Sequence, residues 1–206
     1  MKELLKWDSP WVQKLALITN LVMLNILWLI CCLPIFTAGA ATTALYYTIF
    51  QYQVEGNDAV LQPFFHAFRV NFKQTTLLWI PLFLISILLI FDTFFLLTNG
   101  GKILQWVMLM LALMMDVAIL TYLFPLIARF EMRGKGLLST ALSLFVLHLP
   151  ASLVMILVNL VPILFFTLSP MAFLRWSILW FGIWFASAAY LNGKILLKIW
   201  GKHKSR

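Results

Sequence analysis

The 206-residue chain is 63% hydrophobic and only 11% charged, with a formal net charge of +8, against roughly 45–50% apolar and 25% charged residues in soluble domains. That composition excludes a soluble globular fold, and the lack of period-two segments of about 10 residues argues against a transmembrane barrel, which leaves helices to satisfy the backbone in lipid. The basic residues sit in short loops beside apolar runs, so the expected partner is the lipid bilayer with its anionic headgroups and no nucleic acid.

In chain order, the first apolar run predicts a span over 15–33, preceded by Lys2, Lys6 and Lys14 and ended by Pro34. Ala38-Gly39-Ala40 could mimic a signal-peptide cleavage site, but the run reads better as a retained span. Adjacent Cys31 and Cys32 are geometrically poor disulfide partners and read as small packing residues. The segment 35–52 is only mildly apolar and rich in Ala and Thr; as a helix it reaches about 27 Å, just short of a bilayer core of about 30 Å. Two clear spans follow over 75–97 and 103–127, joined as a hairpin by Thr98-Asn99-Gly100-Gly101-Lys102. The run 137–168 is too long for one straight helix, and Pro150 divides it into a flanking helix over 137–149 and a span over 151–168. A last span is expected over 172–197.

Charge decides whether 35–52 crosses. If it does, thirteen of the fifteen Lys and Arg residues share one side, and only Lys102 and Arg175 lie opposite. If it does not, the basic N-terminus and the later basic loops fall on opposite sides, against the positive-inside bias. The expected architecture is therefore all-α: a single polytopic transmembrane helical bundle over 1–206, with six spans and both termini cytoplasmic.

Between the second and third spans, Phe64, Phe65, Phe68 and Phe72 fall within about a 100° arc, with His66, Arg69 and Lys73 opposite. This pattern predicts a separate helix over 63–73 lying flat at the inner interface, either as a partner-docking surface or as an anchor. A parallel internal repeat offset by 76 residues pairs Glu55 with Glu131, each followed by an apolar helix and a span.

Polar residues inside apolar runs are the functional candidates. Asp116 is near the centre of its span, where an ionised carboxylate costs roughly 2.5–3.5 kcal/mol on insertion scales. It reads either as a proton or solute site or as a neutral, hydrogen-bonded link between helices. Asp92, nearer the outer end, is a weaker candidate of the same kind. Asn25 and Asn159 read as interhelical hydrogen-bonding residues. No His or Cys spacing suits a metal, and no Walker loop or nucleophile motif is present, so neither a cofactor nor an enzymatic activity is expected. Trp7, Trp11, Trp106, Trp176 and Trp200 near span ends fit interfacial anchoring. The small residues of 34–43 permit close helix approach, with Gly39 the natural contact.

Several motifs in order resemble the YesL family of bacterial membrane proteins: Leu33-Pro34-Ile35-Phe36-Thr37-Ala38-Gly39-Ala40-Ala41-Thr42-Thr43, Asn71-Phe72-Lys73-Gln74, Phe124-Pro125-Leu126 with Arg129-Phe130-Glu131, His148-Leu149-Pro150 and Tyr190-Leu191-Asn192. The family has no established biochemical activity. Its members tend to be encoded beside ABC-type carbohydrate importers in Gram-positive bacteria, which implies an accessory role in oligosaccharide uptake. A second likeness is to ABC permeases, whose ATPase-docking loop begins Glu-Ala-Ala and ends Leu-Pro; here Pro150 stands nineteen residues after Glu131, with Met132-Arg133 in place of the alanines. The docking expectation therefore rests on Glu131, Arg129, Arg133, His148 and Pro150 together with Phe64, Phe68, Phe72, Arg69 and Lys73. ABC permease or ATPase subunits are the implied partners, an independent transporter using Asp116 is the alternative, and a membrane sensor or assembly factor is the third possibility.

Overall fold

The computed structural model describes residues 10–130 and 136–201. Among them every regular element is helical. Helix α1 (Pro10–Cys32) leads through a 3-10 turn (Ile35–Thr37) into α2 (Ala38–Glu55), α3 (Leu61–Asn99), α4 (Ile103–Phe130), α5 (Gly136–Leu147) and α6 (Leu149–Leu168). Short helices α7 (Pro170–Arg175) and α8 (Ser177–Leu179) follow, then a π-helical segment (Trp180–Trp184) and α9 (Phe185–Trp200).

Helix α1 stops ahead of Pro34, whose ring disfavours helical geometry in the residue before it. The carbonyls freed at this break are met by the Thr37 hydroxyl, close to both the Cys31 and Pro34 carbonyls, and by Trp79 Nε1, which donates to Ile35 O at 2.7 Å. Helix α2 then runs through the middle of the molecule. Its Ala40, Ala41, Ala44, Leu45, Tyr46, Ile49 and Phe50 are all buried, and Thr43 and Thr48 return their hydroxyls to Gly39 O and Ala44 O. The mild hydropathy of this segment has a physical reason: a helix enclosed by other helices needs small side chains and satisfied hydroxyls rather than a lipid-soluble exterior. Gly56 ends it in the left-handed region at φ 68°, donating to Tyr52 O.

Helices α2, α3 and α4 approach one another closely at Gly39. A Cβ there would lie 2.7 Å from Trp79 Cβ, 3.0 Å from Thr75 O and 3.1 Å from a Phe124 ring carbon. The first two are backbone or anchored directly to it, and both belong to α3, so α3 could not yield to a larger residue without moving as a body.

Helix α3 corrects one expectation. The Phe-rich stretch 63–73 is not a separate helix; it is the first third of a continuous 39-residue helix, roughly 58 Å long at about 1.5 Å per residue. Nothing between Phe64 and Ile80 interrupts it, because no Gly or Pro occurs there. Asn71 and Thr75 bond back to Ala67 O and Asn71 O instead of diverting the backbone. Pro63 is tolerated in the first turn, and Pro81, the proline inside this helix, removes a single internal hydrogen bond. The hairpin turn is as expected. Gly100 takes φ 70°, and Lys102 N–H donates to Gln105 Oε1 at 2.8 Å to start α4.

The expected division of 137–168 also occurs, at His148, where α5 and α6 meet at 102°. The last segment differs. In place of one span over 172–197, the chain breaks near Trp176, passes through the π-helical turn and only then forms α9. Asn25 of α1 holds this irregularity: its Nδ2 donates to Phe181 O at 2.6 Å, and its Oδ1 accepts from Ala186 N–H at 2.9 Å. The inserted side chain takes up two backbone groups that a regular ladder would have paired with other partners.

Three helices are long and apolar enough to cross a membrane, Trp11–Cys32, Leu61–Asn99 and Ile103–Phe130, or four if the bent pair Gly136–Leu147 and Leu149–Pro162 is one span. Their outward faces are dominated by residues such as Leu77, Leu88, Phe91, Ile103 and Met108, each at least 64% exposed. Apolar area on this scale belongs against lipid. Contacts align the helix ends: Phe130 of α4 and Phe50 of α2 both lie against Trp200 of α9, so the C-terminal ends of these three helices share one end of the bundle. Leu17 and Asn20 of α1 join Tyr52 and Tyr190 around one crevice, which places the N-terminal part of α1 at that same end.

Substituting Gly39 by Val should cost about 1–3 kcal/mol, the usual range for overpacking. The check is the SDS-unfolding midpoint of the purified protein in micelles, with Gly136→Val, where a side chain meets open space, as comparison; an unchanged midpoint for Gly39→Val would contradict the close contact.

Candidate functional site

Three groups of buried polar side chains each join different helices. In the first, Asp116 of α4 is 7% exposed and lies against Ser86 of α3, with Asp116 Oδ2 2.7 Å from Ser86 Oγ. Ser86 Oγ is also 2.9 Å from Leu82 O. A hydroxyl has one hydrogen and here faces two acceptors, while Asp116 Oδ1 is buried with no hydrogen-bond partner. The pair links the α3–α4 hairpin near its middle. Asp92 is not part of it; this residue is exposed on α3.

In the second group, Asn192 of α9 is 1% exposed and donates through Nδ2 to Asn159 Oδ1 of α6 at 3.1 Å and to Tyr46 Oη of α2 at 3.4 Å. Its Oδ1 is buried without a partner. Asn159 and Tyr46 also border a cleft of about 240 Å³ walled by Trp28, Trp184 and Phe185, in which Trp28 stacks on Phe185 with ring centroids 4.6 Å apart. Asn25 is fully buried and bonded to backbone, so it does not line this cleft.

The third group surrounds the α5–α6 break. Pro150 has no N–H to continue the ladder, and the fully buried Ser152 lies 3.2 Å from Phe145 O and 3.0 Å from His148 O. Tyr122 of α4, also fully buried, reaches Ser152 Oγ at 2.7 Å. His148 is half-buried and Pro150 exposed at the bend.

The residues expected to form a docking surface are only partly brought together. Phe64 is fully buried and Phe68 half-buried, with Phe64, Phe68 and Phe72 stacked along α3 at centroid spacings of 6.4 and 5.5 Å. The start of this aromatic row therefore packs into the core and does not present a free face. Arg69 and Lys73 are exposed on the other side of the helix. Arg129 is buried in the last turn of α4, its guanidinium 6.0 Å from the Phe50 ring centroid and within the field of Glu55. Glu131 and Arg133 lie outside the described residues. Cys31 and Cys32 are free thiols, and no cluster of three or more His, Cys, Asp or Glu occurs among the described residues.

Ser86, Tyr122, Ser152 and Tyr46 are the residues that sequence reasoning passed over. A Ser or Tyr is unremarkable inside an apolar run, and what identified them was the partner across the helix interface. Asn192 carried a weak signal as the one amide in the apolar part of its segment.

Replacing Asn25 by Ala should leave Phe181 O and Ala186 N–H buried without partners, at about 1–3 kcal/mol. Hydrogen exchange over 181–186 should accelerate and the thermal midpoint fall. Exchange at the wild-type rate would show that the side chain is not what holds the π-helical turn.

Among known families, residues 21–93 match the model of one described as a protein of unknown function, DUF624. The matched region covers α1 from Leu21, all of α2 and most of α3. No curated protein and no solved structure matches the chain. The family match is consistent with the YesL-type resemblance and brings no function with it.

Proposed function

We propose that the chain is a non-enzymatic integral membrane protein that works beside an ABC-type oligosaccharide importer in a bacterial plasma membrane. The observation that carries this reading is helix α5. It is a 12-residue helix that follows the membrane-length α4 and is set at 102° to α6. In this proposal it lies across the end of the bundle, and α6 alone makes the crossing. Leu137, Ala141 and Phe145 bury one side of it, while Ser139, Ser143, Val146 and Leu147 stay exposed. This is the place in the chain where the permease likeness puts an ATPase-docking helix.

In this reading the chain crosses the bilayer six times with both termini inside. Support comes from the shared end of α1, α2, α4 and α9, at which Arg129, Lys194 and Lys198 are found, in keeping with the positive-inside bias. Helix α2 crosses behind a screen of other helices, and the broken segment 170–200 crosses with Asn25 supplying its missing backbone partners. Pulldown of the full chain in mild detergent from cells grown on plant polysaccharide should recover permease and ATPase subunits, and a Ser143→Cys variant should crosslink to the ATPase. Recovery of the chain alone, with no crosslinked product, would refute the proposal.

The unpartnered Asp116 Oδ1 beside Ser86 favours one competing reading, an independent carrier that couples flux to a proton on this carboxyl. Proteoliposomes should then show flux that Asp116→Asn abolishes; no flux from the unmutated protein removes this reading and leaves the first untouched.

A further inference from the structure

At the end of the bundle where α2, α4 and α9 finish, the last turns of α2 and α9 part around a cleft of about 550 Å³. Tyr52 and Gln53 form one wall, Tyr190, Lys194 and Lys198 the other, and Gly201 stands at the mouth. The base of the cleft is fixed. Gln53 Nε2 donates to Tyr190 O at 2.8 Å across the two helices. Gly193 allows this approach: a Cβ there would come within 3.0 Å of Gln53 Oε1 and 3.1 Å of Ile49 Cγ2.

The chemistry of the walls is specific. Tyr52 and Tyr190 present two rings with centroids 6.2 Å apart. Lys194 Nζ lies 4.6 Å over the Tyr190 ring, and Lys198 follows one helical turn later on the same face. Both lysines are exposed, and neither pairs with a carboxylate among the described residues. Asp58 lies close enough to act on the Tyr52 hydroxyl. Below the lysines, α9 turns the exposed Leu191 outward. Two ammonium groups with no carboxylate partner among the described residues therefore sit above an aromatic niche that continues into an apolar helix face.

A soluble anion would use only the upper half of this arrangement. A phosphodiester carrying hydrocarbon would use all of it, and basic pockets between transmembrane helices are suited to anionic headgroups. We propose that the cleft is a binding site for an anionic phospholipid of the adjoining leaflet. The phosphate sits between Lys194 and Lys198, the glycerol backbone lies against the Tyr52 and Tyr190 rings, and the acyl chains run along the α9 face at Leu191. The site does not depend on any partner protein.

The test is titration of the purified full-length chain with phosphatidylglycerol or phosphatidylcholine, followed by native mass spectrometry. Phosphatidylglycerol should bind more tightly than phosphatidylcholine. Lys194→Gln should weaken it about fivefold and the Lys194→Gln/Lys198→Gln pair about 25-fold, the scale of one near-surface cation per step. Lys194→Arg should retain binding, and Lys73→Gln on α3 should leave it unchanged. Equal affinity for the two lipids, or an equal loss in Lys73→Gln, would overturn the site in favour of diffuse surface charge. Competition by glycerol 3-phosphate at the lipid's own affinity would overturn the lipid assignment, because the headgroup alone would then suffice.

Discussion

Hydrocarbon offers no hydrogen bonds, so every backbone group that leaves a helical ladder within a membrane must find a partner from the protein itself. This chain breaks its helices at Pro34, at His148-Leu149-Pro150 and between Trp176 and Trp184, and each break has a dedicated solution. Thr37 and Trp79 serve the first, Ser152 with Tyr122 the second, and Asn25 the third. Most of these partners come from a different helix. The breaks are therefore also the points at which the bundle is tied together, because a helix that shifted would leave carbonyls exposed to lipid.

The second organising feature is the contrast between α2 and its neighbours. Helix α2 is made of Gly, Ala and Thr over its first seven residues, and its value to the fold lies in how closely others can approach it. Gly39 touches both Trp79 and Phe124, so a single residue without a side chain brings three helices to one point. Helices α3 and α4 do the opposite, keeping long branched and aromatic side chains on the outside. One kind of helix contributes contact distance, and the other contributes the boundary with lipid.

Much of this was legible in the sequence. The hairpin at Gly100-Gly101, the break beside Pro150 and the helical nature of the mildly apolar segment before Gly56 all follow from local chemistry: a glycine that tolerates positive φ, a proline that lacks a donor, and small residues with self-satisfied hydroxyls. Other features were not legible for equally local reasons. The row of Phe64, Phe68 and Phe72 with Arg69 and Lys73 opposite has the amphipathic pattern of a surface helix, but that pattern does not reveal whether the next residues continue the rod. Pro170 and Gly182 stand in the irregular segment after Ser169, but neither reveals the partner that takes up its backbone groups; that partner is Asn25, more than 150 residues away in the chain. Asp116 was found from its chemistry alone, whereas its partner Ser86 required the fold.

The length of α3 has a mechanical consequence. At roughly 58 Å it is nearly twice the hydrocarbon thickness, so it cannot stand upright in the bilayer without projecting well beyond it or inclining steeply. Phe64, Ala67 and Thr75 bury its first part in the bundle, whereas Leu88, Phe91 and Phe94 face outward further along, so one rod serves as a core element near Leu61 and as a lipid-facing wall toward Asn99.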